Sequence, residues 1–576
     1  MNDAMTVRAR TVRMAVPAVL KALNVLSALN VLPYAVAACF SVSAWAAPAQ
    51  RPNILMILAD DLGYSDVGAF GGEIRTPNLD ALIASGRILT NFHVAPSCSP
   101  TRAMLLSGAD HHLSGLGTMA ETLQIYQIGQ PGYEGYLNER SLSIASLLRD
   151  GGYHTYMVGK WHLGLTPGQS PQARGFESSF VLLQGGAAHF GPTPGKITSA
   201  DRASYRENGA IVRLPENFYS STGYTDKLIN YIERNRADGK PFFAYAAYTA
   251  PHWPLQAPDD TIDRYRGRYD AGYDVIRNER LARQKALGIV PRDFKPAARL
   301  PVSPANPEWE QLTADQRKVE ARKMEVYAAM VESLDANIGR LIDYLKASGQ
   351  YDNTFVFFAS DNGPSGERVD VFYPDGPEND NSYANLGRRR SNIALGTRWA
   401  EVSATPFRLF KGYPAEGGVS VPAIVRMPRQ HVAQGQATQL TSVLDLAPTF
   451  LQLAGVANPG SRYRGEAVNP MTGTSLLPLL TGSTATHLPD EALVGEEFAG
   501  NRYIRDNRWK LLSVQLKQGP HPVAGPPDWK LYDMAADRGE TSDVAADHPD
   551  IVSRLKQGWR EYMTRVGVVL APGLSE

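Results

Sequence analysis

Cysteine is almost absent from this 576-residue chain, which contains only Cys39 and Cys98. So few cysteines exclude a fold held together by disulfides. The chain also lacks a net charge, because 58 Lys and Arg balance 58 Asp and Glu. It therefore has no basic excess of the kind that binds nucleic acid. After residue 50 it has no apolar run long enough to cross a membrane. These absences predict a globular protein that binds no nucleic acid.

The first 47 residues have the pattern of an export signal. Four basic residues precede an uncharged stretch from 22 to 47, whose small residues predict cleavage near Ala46. An uncleaved membrane anchor and a lipid anchor at Cys39 are the alternatives for this segment. We expect a periplasmic or secreted protein without a stable membrane span in its mature form.

Short apolar runs alternate with helical patterns along the rest of the chain. The runs are 53–59, 153–158, 241–248 and 354–359, and the helical patterns include 76–85, 141–150 and 314–347. Apolar strands separated by helices predict an α/β fold with an internal, mostly parallel sheet. We interpret segment 257–307, which is rich in Arg, Asp and Pro, as a surface excursion.

The pattern changes after about residue 485. Short strands are predicted at 492–495, 501–504, 509–514 and 529–532, and an amphipathic helix at 551–566. We expect a large domain over 51–485 and a small α+β domain over 486–576, the latter with an antiparallel sheet and a terminal helix. The length of the chain also favours two domains.

Carboxylates collect where two of the apolar runs end. Asp60 and Asp61 follow the first run, and Asp361 and Asn362 follow the last. Ligands of open α/β sheets bind beyond the carboxyl ends of the strands. Three carboxylates and an amide are hard oxygen donors that suit calcium or magnesium. Capping of the following turns is the alternative role for these side chains.

Cations and imidazoles occupy further strand ends. Lys160 and His162 follow the run 153–158, His252 follows 241–248, and Lys411 lies in a glycine-flanked loop. A lysine in such a loop could bind an anion, and a histidine can exchange a proton with a leaving group.

Two other groups of residues carry weaker signals. We discount a zinc site at His111 and His112, because adjacent residues seldom face one ligand and no third partner has suitable spacing. Four side chains could border an aromatic-friendly pocket or could simply pack in the core: Trp161, His189, Phe190 and Trp253.

Cys98 stands in a polar turn before an expected helix, with Arg102 four residues later. A cysteine at a helix N-terminus beside an arginine has electropositive surroundings. A buried, inert cysteine is the alternative. With the strand-end residues, Cys98 indicates a metal-assisted hydrolase of an anionic ester, and the residues alone leave sulfate and phosphate both open.

These segments together resemble the type I sulfatases, within the alkaline phosphatase-like superfamily, over nearly the whole chain after residue 50. Residues 98–102, Cys-Ser-Pro-Thr-Arg, are similar to the family's Cys-x-Pro-Ser/Thr-Arg signature. Gly-Lys-Trp-His-Leu-Gly at 159–164 resembles its second signature. Segments 110–112, 117–121 and 132–135 are similar to the bacterial arylsulfatase branch typified by the Pseudomonas enzyme.

The resemblance implies an alkaline phosphatase-like fold for 51–485 and hydrolysis of sulfate monoesters to an alcohol or phenol and sulfate. It implies that a formylglycine-generating or sulfatase-maturating enzyme oxidises Cys98 to formylglycine. It also implies one Ca²⁺, rather than Mg²⁺, with the ligands Asp60, Asp61, Asp361, Asn362 and the modified Cys98.

The resemblance also implies roles in sulfate transfer. One hydroxyl of the hydrated formylglycine, with Asp361 as base, attacks sulfur and forms a covalent sulfate hemiacetal. Arg102 and Lys160 hold the hydrate. Lys160 and Lys411 neutralise the sulfate oxygens.

Two histidines complete the implied cycle. His252 contacts the substrate and protonates the leaving alcohol or phenol. His162 deprotonates the second hydroxyl of the hemiacetal, which expels sulfate and restores the aldehyde. A serine could not complete the cycle, because its sulfate ester has no second hydroxyl.

Two rival functions and two departures from the family pattern accompany this interpretation. The rivals are a phosphonate or phosphate monoester hydrolase of the same superfamily, and a non-catalytic sulfate-binding protein with unmodified Cys98. The departures are Thr101, where serine is commoner, and Ser420, where many relatives carry arginine. We expect only peripheral consequences from Ser420.

Overall fold

An eleven-stranded mixed sheet forms the centre of the structure, a computed structural model that describes residues 51–193, 202–368, 374–428, 435–516 and 528–572. The expected export signal at 1–47 lies outside the described residues. The strands of this sheet are β1 (Asn53–Ala59), β2 (Arg87–His93), β3 (His154–Lys160), β4 (Ser178–Leu182), β5 (Tyr205–Glu207), β6 (Ala210–Val212), β7 (Phe242–Ala247), β8 (Thr354–Ser360), β9 (Ser420–Arg426), β10 (Gly435–Ala437) and β11 (Thr441–Ser442). Their order is β10-β2-β9-β8-β1-β7-β3-β4-β5-β6, with β11 beside β2.

Five neighbouring strands at the centre, β8, β1, β7, β3 and β4, run parallel. Ile54 of β1 lies between Phe243 of β7 and Phe355 of β8. Every residue of these three strands is buried, as expected for a parallel sheet that helices cover on both faces. The predicted mixed, mostly parallel sheet is confirmed, and the carboxyl ends of the five strands share one edge.

The α-helices of the described residues pack on both faces of the sheet or close the chain. In chain order they are α1 (Pro77–Ala84), α2 (Cys98–Ser107), α3 (Ile144–Asp150), α4 (Ser220–Asn235), α5 (Asp259–Asp263), α6 (Tyr273–Ala286), α7 (Ala314–Ala347), α8 (Thr397–Ser403), α9 (Glu416–Val419), α10 (Leu446–Ala454), α11 (Leu477–Leu480) and α12 (Pro549–Val566). Alternate side chains of β1 enter two separate cores, because successive residues of a strand point to opposite faces. Leu55 and Ile57 pack in the core that contains α4 and α7 residues, and Ile54 and Met56 in the core that contains α2 and α10 residues.

In the described parts of the chain, no helix has both the length and the apolar character needed to cross a bilayer.

The interpretation of 257–307 as a surface excursion holds only in part, because most of its side chains are exposed or half-buried but some enter the core. This segment forms α5 and α6, and its Tyr269, Ile276 and Arg280 are fully buried. Arg280 donates hydrogen bonds to Asp66 and to Glu73, the latter at 2.8 Å. The high charge of the segment was misleading, because a buried arginine with two carboxylate partners is compatible with a core.

The end of the chain forms the predicted α+β unit. Its antiparallel sheet consists of β14 (Val494–Phe498), β15 (Asn501–Arg505), β16 (Trp509–Ser513) and β17 (Trp529–Asp533), after a small hairpin of β12 (Arg462–Tyr463) and β13 (Glu466–Ala467). Helix α12 covers one face, where Trp559 packs with Ile504, Leu511 and Leu531. The domain boundary between 485 and 486 remains a prediction.

Buried ion pairs join β14 to the loop after α2. His111 Nε2 lies 2.8 Å from Glu496 Oε1, and His112 Nε2 lies 3.1 Å from Glu497 Oε2. His112 Nδ1 is 3.0 Å from Asp110 Oδ1. The ligand atoms of Asp110, His111 and His112 are close enough to hold a metal ion. However, Glu496 and Glu497 are neighbours on a strand and point to opposite faces, so each histidine has a carboxylate of its own. The arrangement is therefore better described as three histidine–carboxylate contacts than as one metal centre.

We expect His112→Gln to destabilise the fold in a pH-dependent way. Burial opposes protonation of His112, but the hydrogen bonds that its ring donates to Asp110 and Glu497 raise its pKa to about 10. This lies above the unfolded value of about 6.5, so the stabilisation is complete below pH ~6.5 and is lost as pH rises towards 10. Breaking the buried pair should lower the free energy of unfolding by about 3 kcal/mol at pH 6.

Urea denaturation at pH 6 and pH 9.5 measures this effect. The difference between the wild type and His112→Gln should shrink at the higher pH. The control His548→Gln, at a half-buried histidine that packs on Trp509, should not show this trend. A difference that is the same at both pH values would contradict the assignment of a charged His112.

Candidate active site

The strand ends at the carboxyl edge of the sheet bring the predicted polar residues together. Asp60 follows β1, Lys160 is the last residue of β3, and Asp361 follows β8. Lys160 Nζ lies 2.8 Å from Asp60 Oδ2, and the Asp61 backbone N–H donates to Asp361 Oδ1 at 3.2 Å. All four residues are buried. A cluster of three buried carboxylates needs cations nearby.

Cys98 is the first residue of α2, and the whole helix is buried. Its Sγ lies 3.4 Å from Asp60 Oδ1 and 3.9 Å from Asp61 Oδ1. Burial and the charge of Asp361 raise the pKa of the Cys98 thiol well above its usual value, although two lysines act in the opposite direction. The prediction that the turn surrounds Cys98 with positive charge is therefore wrong, because carboxylates accept its hydrogen bonds and disfavour a thiolate.

The positive charge of Arg102 pairs with the Asp361 carboxylate rather than with the Cys98 thiol. Its Nε and Nη2 donate to Asp361 Oδ2 at 3.0 and 2.7 Å, and its Nη1 donates to the backbone oxygen of Lys160 at 2.9 Å. Burial and Asp60 raise the pKa of Asp361, and Arg102 opposes that shift. The Thr101 hydroxyl donates to the Ala95 carbonyl at 3.1 Å, so threonine supports the same turn that a serine would.

The donor set of the cluster fits a divalent cation. Asn362 Nδ2 donates to Asp61 Oδ1 at 2.6 Å, which leaves Asn362 Oδ1 buried and without a hydrogen-bond partner among the described residues. A buried carbonyl oxygen without a partner is costly unless something binds it. Carboxylate and amide oxygens are the donors that Ca²⁺ and Mg²⁺ prefer. Lys411 Nζ lies 2.8 Å from Asp61 Oδ1, so a lysine also borders this cluster.

His252 and His162 lie beside the cluster with defined orientations. His252 Nδ1 is 2.5 Å from the backbone oxygen of Trp253, which can only accept, and His252 Nε2 lies 3.6 Å from Asp61 Oδ2. Burial and Lys411 lower the pKa of His252 well below its usual value, although Asp61 opposes the shift. His162 and Asp61 have φ angles of 54° and 64°, which are uncommon outside glycine and cluster at functional sites.

The expected aromatic border is only partly present. Trp161 is completely buried, and its indole N–H donates to the Gln169 carbonyl, so the alternative of packing in the core applies to it. His189 is also buried, between Ser220 and the backbone oxygen of His252. Trp253 is partly exposed and its ring packs against His252, so it can contact a substrate.

Ser420 has a partner from the C-terminal part of the chain. Arg538 Nη2 donates to Ser420 Oγ at 3.3 Å and lies 3.6 Å from Glu416 Oε2. A guanidinium thus reaches the position next to Ser420, although residue 420 itself is not arginine.

Three residues near the histidines have roles that the sequence did not indicate, although Glu121 lies in segment 117–121, which resembles the arylsulfatase branch. Glu121 Oε1 lies 3.1 Å from His162 Nε2. A Cβ atom at Gly185 would lie 2.8 Å from His162 Cε1, and one at Gly186 would lie 3.1 Å from His252 Cε1. The two glycines therefore leave space for the two imidazole rings. Their only sequence signal was a Gly-Gly pair shortly after β4, which is also typical of an ordinary turn.

Comparison with known proteins gives matches over most of the chain. The Sulfatase family model matches residues 52–456, and the model of the N-sulphoglucosamine sulphohydrolase C-terminal region matches 410–564. An uncharacterized sulfatase of Schizosaccharomyces pombe is 44% identical over 91% of this chain and 96% of its own length. The arylsulfatase of Klebsiella aerogenes is 39% identical over 77% of this chain and 95% of its own length.

A solved structure shows the same fold. The crystal structure of Ps i-CgsB superimposes with a TM-score of 0.63 at 25% identity, and the match covers 89% of this chain and 93% of that one. The family models and the relatives cover both the large domain and the C-terminal unit. The chain belongs to the sulfatase family and is a sulfuric ester hydrolase.

Proposed function

We propose that the chain hydrolyses aryl sulfate esters with a formylglycine that a maturating enzyme forms from Cys98. The observation that carries this proposal is the environment of Cys98, a buried thiol with a raised pKa whose hydrogen-bond acceptors are Asp60 and Asp61. Such a thiol is a poor nucleophile and a poor ligand for a hard cation. The hydrate of an aldehyde offers two oxygens at the same place.

The carboxylate cluster is proposed to hold one Ca²⁺ through Asp60, Asp61, Asp361 and Asn362, together with modified residue 98. When bound, the ion supplies a Lewis acid that stabilises the charge of the sulfate oxygens. The unpartnered Oδ1 of Asn362 favours a hard cation of this kind. Among the described residues, Asp60 and Asp61 contribute oxygens to a group of possible ligands whose other members are Cys98 and His252.

The cationic side chains are proposed to bind the sulfate group and support its transfer. Lys160 and Lys411 lie within 3 Å of the carboxylates of Asp60 and Asp61, where they can neutralise sulfate oxygens. Arg102 keeps its two hydrogen bonds to Asp361, which acts as the base for the attacking hydroxyl. As the new oxygen–sulfur bond forms, the bond between sulfur and the leaving oxygen breaks, and His252 Nε2 donates a proton to the leaving oxygen. Burial keeps the imidazole neutral in the free protein, and the bound sulfate anion favours the protonated ring that this step requires.

The release of sulfate is proposed to depend on His162. His162 takes the proton of the second hydroxyl of residue 98, whose oxygen then forms a carbonyl with the side-chain carbon. The bond between that carbon and the sulfate oxygen breaks, and sulfate leaves with both electrons. Water then hydrates the aldehyde, and the cycle can restart.

The proposed modification of Cys98 also bears on when the protein is matured and where it works. Cys98 is only 1% exposed, so a maturating enzyme must act before α2 is packed. We propose that the protein works in the periplasm or outside the cell, after the segment 1–47 has directed its export.

The choice between sulfate and phosphate esters tests the proposed activity. We expect kcat/KM to be higher for 4-nitrophenyl sulfate than for 4-nitrophenyl phosphate, with some phosphatase side activity because both esters carry tetrahedral oxyanions. The assay needs protein whose residue 98 has been shown to be modified. A clear preference for the phosphate would overturn the proposal.

Calcium should also stabilise the fold, because the cluster of Asp60, Asp61 and Asp361 exists only in the native state. At 100 times its Kd, bound Ca²⁺ should raise the free energy of unfolding by about 2.7 kcal/mol relative to protein in chelator. Asn362→Leu should reduce this gain, and the surface variant Asn507→Ala should keep it. Denaturation curves that are identical in Ca²⁺ and in chelator would contradict the metal site.

A further inference from the structure

The two ring nitrogens of His162 have different surroundings. Nε2 lies 3.1 and 3.2 Å from the two carboxylate oxygens of Glu121. Nδ1 is buried and has no hydrogen-bond partner among the described residues. The whole residue is 8% exposed. One nitrogen is therefore held by a carboxylate, while the other is shielded from solvent and unused within the described protein.

Glu121 determines which nitrogen carries the proton. An ionised carboxylate can only accept hydrogen bonds, so the Nε2 beside it must be the N–H donor. Partial desolvation opposes ionisation of Glu121, whose side chain is 56% exposed, but the hydrogen bond with His162 lowers its pKa to about 2. In the neutral imidazole, the lone pair is then on Nδ1. A buried acceptor without a partner is costly, and such an atom is available to accept a proton from a substrate or a modified side chain.

The position of the ring is fixed by the backbone and by a neighbouring loop. His162 has the left-handed φ angle of 54°, and Gly185 lies so close that a Cβ there would be 2.9 Å from Nε2. His162 also follows Lys160, the last residue of β3, by two positions, and burial together with the charges of Lys160 and Arg102 lowers the pKa of its imidazole. Backbone, glycine and carboxylate thus restrict the imidazole to one orientation.

We propose that Glu121 is a positioning residue that fixes the tautomer and orientation of His162, so that Nδ1 is the base in sulfate release. The inference rests on the proposed function, in which His162 takes the proton of the second hydroxyl of sulfated residue 98. In this step the proton moves to Nδ1, the oxygen–hydrogen electron pair becomes the carbonyl bond, and the carbon–oxygen bond to sulfate breaks. Glu121 stabilises the imidazolium that results, because it already holds the Nε2 proton.

Glu121→Gln separates this role from that of an ordinary ion pair. The side-chain amide has nearly the same shape, but it can donate as well as accept, so it no longer dictates the tautomer. Sulfate transfer to residue 98 does not use His162, whereas sulfate release does. We therefore expect kcat for 4-nitrophenyl sulfate to fall about 10- to 100-fold, with kcat/KM nearly unchanged and KM lowered in parallel.

Pre-steady-state kinetics and mass spectrometry detect the step that slows. Glu121→Gln should give a burst of about one 4-nitrophenolate per active site, and quenched protein should carry one added SO₃ on residue 98. The control Glu139→Gln removes an exposed carboxylate that pairs with Arg174, and it should behave like the wild type. A fall of kcat and kcat/KM by the same factor, without a burst, would overturn the inference.

The tautomer can also be measured without the modified residue. In a Cys98→Ala background with ¹⁵N-labelled histidine, the His162 signals, assigned by comparison with His162→Asn, should show protonated Nε2 and unprotonated Nδ1. Glu121→Gln should change this pattern, and Glu139→Gln should not. An identical tautomer with and without the Glu121 carboxylate would overturn the inference.

His162→Ala distinguishes failure of this inference from failure of the proposed function. If His162→Ala does not accumulate the sulfated residue, the proposed release step is wrong and the inference falls with it. If His162→Ala accumulates it and Glu121→Gln does not, only the role of Glu121 is wrong.

Discussion

Cys98→Ser is expected to accept one sulfate group and then to stop. A serine hydroxyl at this position would lie beside Asp60 and Asp61, where Cys98 Sγ is found at 3.4 and 3.9 Å from their oxygens. It can attack sulfur, but the resulting ester has no second hydroxyl from which His162 could remove a proton. Steady-state kcat should fall by at least about 10⁴-fold, and quenched protein should carry one SO₃ at residue 98.

Cys98→Ala is the matched control for this prediction. Alanine keeps the helix start and removes every nucleophilic atom, so no SO₃ should remain on the protein. Both variants should retain the thermal stability of the parent, because a buried cysteine behaves as a small side chain. Steady turnover by Cys98→Ser at a rate close to that of the wild type would show that a single hydroxyl suffices and would contradict the mechanism.

Arg102→Leu is expected to destabilise the protein strongly. The guanidinium of Arg102 is fully buried and donates two hydrogen bonds to Asp361. Its removal leaves the Asp361 carboxylate beside Asp60 and Asp61 without its nearest cation. Breaking a buried pair in this way costs about 3–5 kcal/mol, and activity should fall with it.

A double-mutant cycle with Asp361→Asn measures the coupling. In chelator, Arg102→Leu combined with Asp361→Asn should be less destabilised than the sum of the two single variants, because both members of the pair are gone. Urea denaturation gives the four free energies. The exposed Arg149→Leu should change stability by less than about 0.5 kcal/mol. Additive losses would mean that Arg102 and Asp361 do not stabilise each other.

The strand ends could be predicted because their signal is local. A fully apolar run followed by carboxylates has few alternative structures, and Asn53–Ala59 and Ala314–Ala347 have the same bounds in the sequence analysis and in the structure. The convergence of Asp60, Lys160 and Asp361 then follows from parallel strands that share one edge.

The features that could not be predicted from the sequence depend on contacts between residues far apart in the chain. Glu121 is 41 residues from His162, and Glu497 is 385 residues from His112; no spacing rule joins such pairs. The burial of Arg280 could not be predicted for the same reason, because its partners Asp66 and Glu73 belong to another segment.

The electrostatic environment of Cys98 is the clearest example of a feature that the local sequence could not predict. Locally, Arg102 and the start of α2 indicate a positive environment. In the fold, Arg102 binds Asp361, and carboxylates from the ends of β1 and β8 determine the electrostatics of the thiol. The local sequence singled out Cys98, but the charges that act on its thiol come from residues that only the tertiary structure brings together.

The mass of the peptide that contains Cys98 tests the central claim most directly. Active protein from its native host, digested and measured without reducing agents that react with aldehydes, should yield this peptide about 18 Da lighter than the thiol form, as conversion of thiol to aldehyde requires. The fraction of converted peptide should rise in proportion to the specific activity on 4-nitrophenyl sulfate. An active preparation in which Cys98 is entirely unmodified would contradict the account.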